Sequence, residues 1–116
     1  MPVAFAVELS PFVTEDIEGL VDYLIRDGAN DAARRLVDTF QERIDALEAF
    51  PRRGNIPKEL AGLQFSEVRQ LVMAPYRIFY EIKDAQVTVL LLADGRRDIP
   101  ALLAQRLIDS RKTDTP

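Results

Sequence analysis

Among its 116 residues the chain has no histidine and no cysteine. Without cysteine there is no disulfide framework, thiol nucleophile or zinc–thiolate site, and without histidine the commonest metal ligand and general base are missing. No apolar run reaches the roughly 20 residues that cross a bilayer. The opening MPVAFAVELSP carries neither a basic leader nor a small-residue cleavage site. A cytoplasmic protein is expected. No P-loop, GxGxxG, GxSxG or metal-ligand spacing occurs, so neither a cofactor nor a metal is expected. Positive charge is also scarce, with 15 Lys and Arg against 19 Asp and Glu and a net charge of −4. Such a balance argues against binding nucleic acid through bulk electrostatics, which needs basic surface to displace phosphate counterions.

What is present is a core-forming composition, 47% apolar. The length suits one core, and a single domain over residues 1–110 is expected, with a polar, frayed tail at 111–116. Charge is divided unevenly. Residues 1–50 hold 4 cations against 11 anions, and residues 51–116 hold 11 against 8. An anionic partner would therefore be expected on the second half.

The apolar run at 3–9 predicts a strand that ends at Ser10-Pro11. Ser10 suits a helix N-cap and Pro11 the first helical position, where a missing N–H costs nothing. Val13, Ile17, Leu20, Val21 and Leu24 then trace one stripe of a helix ending near Gly28. Asn30 or Asp31 is expected to cap a second helix, striped by Ala32, Leu36, Val37, Phe40, Ile44 and Leu47 and stopped by Pro51. Residues 51–64 read as irregular. Beyond them the period falls to two, and FSEVRQLVM, PYRIFYEI and QVTVLLLA predict three strands joined by tight antiparallel connections. The last, apolar on both faces, is expected to be central. Asp98 and Pro100 then open a final helix. The order β-α-α-β-β-β-α makes an α+β fold, with a helical hairpin packed on one face of a mostly antiparallel sheet.

Within PYRIFYEI, alternation puts Tyr76, Ile78, Tyr80 and Ile82 on one face and Arg77, Phe79 and Glu81 on the other. If the helices cover the first face, Arg77 points away from the core. One reading is a solvated arginine paired with Glu81 or a cross-strand acid. The other gathers Arg69, Arg77, Arg96 and Arg97 on or beside one surface, where their planar donor forks suit phosphate or carboxylate. Arg52 and Arg53 have two readings too, as cations on the preceding helix's C-terminal dipole or as part of an anion surface. Asp98 reads as a helix cap, and Glu15, Asp16, Glu18 and Asp22 read as a solvated helix face.

Four segments carry a family resemblance: LSPFVTEDIEGLVDYL, AARRLVDTFQERIDALEAFPRRG, EVRQLVMAPYRIFYEI and VTVLLLADGRRDIPALL. In that order and spacing, from Val7 to about Leu107, the chain resembles the ParE/RelE superfamily of bacterial type II toxin–antitoxin toxins. The resemblance implies a toxin held off by a cognate antitoxin whose C-terminal segment lies in apolar grooves, giving a hetero-oligomer. It also implies one of two activities: poisoning of DNA gyrase in ParE-like members, or ribosome-dependent mRNA cleavage in RelE-like ones. Arg77 and Arg97 are similar to phosphate-holding arginines of the nuclease branch. The lysines expected before the YR motif are replaced by surroundings of Val68, Arg69 and Gln70, and Leu103 and Ala104 stand where a tyrosine or histidine would be wanted. A nuclease here would have to move protons with Glu67, Glu81 or Tyr80. The charge balance and the FPRRG, PYRIFY and GRRD motifs look more ParE-like. On that reading no catalytic residue is assigned, and Arg69, Arg77, Arg96, Arg97 and Arg106 form the target- or antitoxin-binding surface. A module that binds antitoxin without being toxic is the remaining alternative.

Overall fold

A computed structural model describes residues 4–60 and 67–113, with side chains described as far as residue 110. The chain runs β1 (Ala6–Leu9), α1 (Pro11–Arg26), α2 (Asn30–Ala46), a 3-10 turn (Lys58–Leu60), β2 (Glu67–Met73), β3 (Tyr76–Lys83), β4 (Gln86–Asp94) and α3 (Ile99–Thr113). The expected strand start at residue 3, the beginning of FSEVRQLVM at Phe65 and Ser66, and residues 114–116 lie outside the described residues.

The α1 start follows the sequence. Ser10 Oγ accepts from the Phe12 N–H at 3.2 Å, and Pro11 takes the first helical position. At the other end Gly28 adopts a φ of 76°, the left-handed turn that glycine enters without a Cβ clash. The next cap departs from expectation. Asn30 and Asp31 are already helical, and Ala29 is the cap with no side-chain bond. Asp31 instead places its charge in the first turn, where the helix dipole favours an anion. The helix also stops at Ala46, before Pro51.

The sheet order is β1-β4-β3-β2. β2, β3 and β4 pair antiparallel, while β1 joins β4 in parallel, so the sheet is mixed. β4 is interior, as its two apolar faces require. The helical hairpin covers Ile78, Tyr80, Ile82, Val87, Val89 and Leu92 with Val13, Leu36, Phe40, Ile44 and Leu47. Each such burial contributes about 1.5–3 kcal/mol. The opposite face is covered too. Ile99 and Leu103 of α3 close a second cluster over Phe79, Leu90, Leu91 and Ala93. A register shift pairs Phe79 with Leu91 but Tyr80 with Val89. Leu90 is the extra residue, and this bulge turns two successive leucines toward α3.

The α3 helix continues to Thr113. At its start the Ala101 N–H donates to Asp98 Oδ1 at 3.3 Å, the cap that the sequence suggests.

Candidate functional site

The five nominated arginines do not form one surface. Arg69 is the cross-strand partner of Tyr80 and Arg77 that of Val72, so the two lie on opposite faces of the sheet. Arg69 is held on the hairpin side, its Nε on Glu67 at 2.7 Å and its Nη1 on the Gly54 carbonyl at 2.7 Å.

Arg77 does not face solvent. It points into the layer under α3, where Glu59 of the 3-10 turn takes both guanidinium prongs at 2.8 and 2.9 Å. Its Nε donates to Gln70 at 2.7 Å, and its guanidinium carbon lies 4.8 Å from the Phe79 ring centroid. An acid partner was expected, but neither Glu81 nor a cross-strand acid supplies it. Glu59 comes from a segment that reads as irregular, so no strand or helix period pointed to it. The Arg77 bonds hold the Glu59 carboxyl at about 2, well below its ordinary value of 4.5.

Arg106 is also internal. Its prongs meet Asp16 at 2.6 and 2.7 Å, and Nη1 donates to the Leu90 carbonyl at 2.9 Å. Asp16, expected on a solvated helix face, is thus largely buried and engaged. Arg52 lies beyond the α2 terminus and pairs with Glu67 at 3.1 Å instead of meeting the helix dipole. Arg96 and Arg97 remain at the surface. Arg96 bonds to Asp94 of its own turn but is 87% exposed. The Arg96 bonds hold the Asp94 carboxyl at about 2. Arg97 makes no side-chain hydrogen bond or ion pair among the described residues.

The candidate proton movers are no better placed. Tyr80 is fully buried, and its hydroxyl accepts from the Gly54 N–H at 3.1 Å. Burial pushes its pKa up. Glu67 sits on the hairpin side with Arg69; burial would raise its pKa, and the Arg69 and Arg52 bonds outweigh this to hold it low. Glu81 shares the Arg77 face but stands four residues along the strand, about 13 Å away, and is 7% exposed.

These contacts give the motifs a structural reading. A Cβ on Gly54 of FPRRG would come within 2.4 Å of the Gln70 carbonyl oxygen and 2.6 Å of the Tyr80 hydroxyl. A Cβ on Gly95 of GRRD would come 3.1 Å from the Arg77 Cδ. The motif glycines make room for motif side chains of PYRIFY.

One surface was missed. Between α2 and the β2–β3 turn runs a groove of about 450 Å³, lined by Arg35, Leu36, Thr39, Arg43, Met73 and Tyr76 among others. Leu36, Thr39 and Arg43 recur at the three- and four-residue spacing of one helix face. That spacing was legible, but only the sheet turn opposite makes the face into a groove.

Comparison with known proteins follows the same lines. Residues 7–99 match the family model described as the ParE toxin of the type II toxin–antitoxin system parDE. Two solved structures share the fold. One is the chromosomal ParDE toxin–antitoxin system from P. aeruginosa, 17% identical, spanning 78% of this chain and 96% of that one, with a TM-score of 0.64. The other is the RelBE2 toxin–antitoxin complex from Mycobacterium tuberculosis, 20% identical, spanning 84% and 98%, with a TM-score of 0.55. Among curated proteins no relative matches.

Proposed function

The chain belongs to the ParE toxin family of type II toxin–antitoxin systems, and from that premise we propose that it inhibits DNA gyrase in the cytoplasm and is neutralised by a cognate antitoxin. The observation that carries the choice of gyrase over RNA cleavage is the state of Arg77. A nuclease needs a cation free to take the scissile phosphate, with a proton donor and acceptor in reach. Arg77 is bound to Glu59 and Gln70, and the groups nominated to move protons are buried, on the other face, or far along the strand. Inhibition by binding needs no such constellation. Of the five arginines expected at the binding surface, Arg96 and Arg97 are the exposed ones, at the end of β4.

The test is a supercoiling assay with the purified protein. Loss of gyrase supercoiling that rises with protein concentration is expected. No effect at high excess, together with codon-dependent mRNA cuts in a translation extract, would overturn the reading. Normal growth after inducing the protein alone would instead favour a non-toxic antitoxin-binding module.

A further inference from the structure

Tyr23, near the end of α1, is the most exposed large hydrophobic side chain among the described residues, at 68%. Its helix runs in the direction of β4. The Ser10 N–H donates to the Val89 carbonyl and the Leu92 N–H to Asp16 Oδ2, so helix and strand advance together. Seven residues beyond Asp16, about 10 Å further along the axis, Tyr23 comes level with the turn that carries Arg96 and Arg97. The Tyr23 hydroxyl is near enough to act on two neighbours. It adds to the upward pKa shift of Arg96, which is due first to the Asp94 bond, and to that of Tyr76, which is due first to burial.

The turn after Asp94 is held on several sides. The Gly95 N–H donates to the Pro75 carbonyl at 2.8 Å, the Arg96 N–H to Asp94 Oδ1 at 2.9 Å and the Arg97 N–H to the Asp94 carbonyl at 3.0 Å. Asp94 also takes Nε and Nη2 of Arg96 at 3.0 and 2.9 Å, which leaves Nη1 without a bond among the described residues. An ion pair as exposed as this one adds little to folding. Its effect is to fix a charged fork in one direction before a partner arrives, which lowers the entropy lost on binding.

We propose that Tyr23 is the aromatic anchor of the surface that meets gyrase, its ring entering an apolar pocket of the target protein while the free guanidinium edges of Arg96 and Arg97 take carboxylates at the pocket's rim. The inference rests on the gyrase reading above for the identity of the target. Tyrosine and arginine are the residue types that dominate binding hot spots between proteins, and a ring with two rotatable bonds loses little freedom when it docks. Acids are interleaved with the cations. Asp27 caps α1 one turn beyond Tyr23, Asp94 sits under Arg96, and Asp98 follows Arg97. A phosphate backbone would be repelled by that mixture on a chain already at −4, so nucleic acid is the less favoured occupant. A protein surface can match each sign separately.

The test uses the full chain in the supercoiling assay, with its binding to purified gyrase holoenzyme followed by surface plasmon resonance. Tyr23→Ala is expected to raise both the half-inhibiting concentration and the dissociation constant by about tenfold, and Tyr23→Phe, which keeps the ring, to stay near the unaltered chain. Arg96→Glu sets a like charge against the partner's carboxylates and should weaken both at least as much. Phe50→Ala is the control, because Phe50 is equally exposed but follows the far end of α2, and it should inhibit fully. All four side chains lie at the surface, so unchanged melting temperatures separate a lost contact from a lost fold. Full inhibition by folded Tyr23→Ala, or an equal loss in Phe50→Ala, would overturn the proposal and give the patch to another occupant such as the antitoxin. A mobility shift of linear duplex DNA by the chain alone, abolished in Arg96→Glu, would overturn it in favour of nucleic acid. No inhibition by the unaltered chain sinks the gyrase reading and the anchor with it, whereas inhibition indifferent to Tyr23 sinks the anchor alone.

Discussion

Asp16 on α1 and Arg106 on α3 meet across the open edge of β4, their side chains 13% and 16% exposed. β1 ends at the Leu9–Val89 pair, which leaves the next stretch of β4 without a neighbouring strand on that side among the described residues. There the Leu92 N–H donates to Asp16 Oδ2 at 3.1 Å, and the Leu90 carbonyl accepts from Arg106 Nη1 at 2.9 Å. A parallel strand would make the same two bonds, to the residues before and after its own partner. The ion pair thus continues the ladder in side-chain form and closes an edge that would otherwise invite pairing with another chain.

Removing either member is expected to be costly. Arg106→Ala strands a largely buried carboxylate and the Leu90 carbonyl, a loss of about 3 kcal/mol. Urea denaturation of Arg106→Ala, Asp16→Ala and the double variant measures the coupling. The double variant should be less destabilised than the sum of the singles, because it leaves no orphaned charge.

Gly54→Ala is expected to destabilise by about 1–3 kcal/mol, because the new methyl must displace the Gln70 carbonyl or the Tyr80 hydroxyl. Tyr80→Phe removes the acceptor of the buried Gly54 N–H and should cost a similar amount, about 1–3 kcal/mol. For a domain near this size each kcal/mol lowers the melting temperature by about 4–8 °C. A change of less than one degree in both variants would mean that the motif glycine is not the structural spacer described above.

The acid limb of the stability profile should depend on Glu59. Its carboxyl is depressed from 4.5 to about 2 in the folded chain, chiefly by the Arg77 hydrogen bonds. A depressed carboxyl adds stability that is fully present above the unfolded value and is lost as pH falls through the folded one. The window therefore runs from about pH 4.5 down to about 2, and the contribution is at most about 3 kcal/mol, less where solvent screens the pair. In Glu59→Gln, stability measured by denaturation at successive pH values should be lower at neutrality and flatter across that window.

Stability and target inhibition should separate between Arg97 and Arg77. Arg97→Ala removes an exposed side chain that makes no hydrogen bond among the described residues and should change stability by less than about 0.5 kcal/mol, while weakening inhibition in the supercoiling assay. Arg77→Ala should instead lower the melting temperature, because it leaves Glu59 and Gln70 without their donor. Full inhibition by Arg97→Ala would remove that residue from the proposed target surface.

Much of this fold can be read along the chain. Ser10-Pro11 and Asp98-Pro100 carry their helix starts locally, since a cap needs only a side-chain oxygen and N–H groups two or three residues on. The period-two run of PYRIFYEI sets which side chains share a face, and the apolar run of β4 marks it as interior. The Ala29 cap and the early end of α2 were less legible, because helix ends depend on competition among neighbouring residues as well as on the best capper.

The arginines divide along the same line. Their number, permanent charge and spacing are properties of the sequence, and so are the apolar stripes that require two helical layers on a sheet. Their partners are not. Glu59 reaches Arg77 across 18 residues and Asp16 reaches Arg106 across 90, and both pairings exist only because separate elements converge on one edge or one face. Strand alternation is a local steric property with a period of two, whereas an ion pair depends on which distant chain segment arrives within about 3 Å. Tertiary packing therefore decided which arginines are internal clamps and which are left to meet a partner.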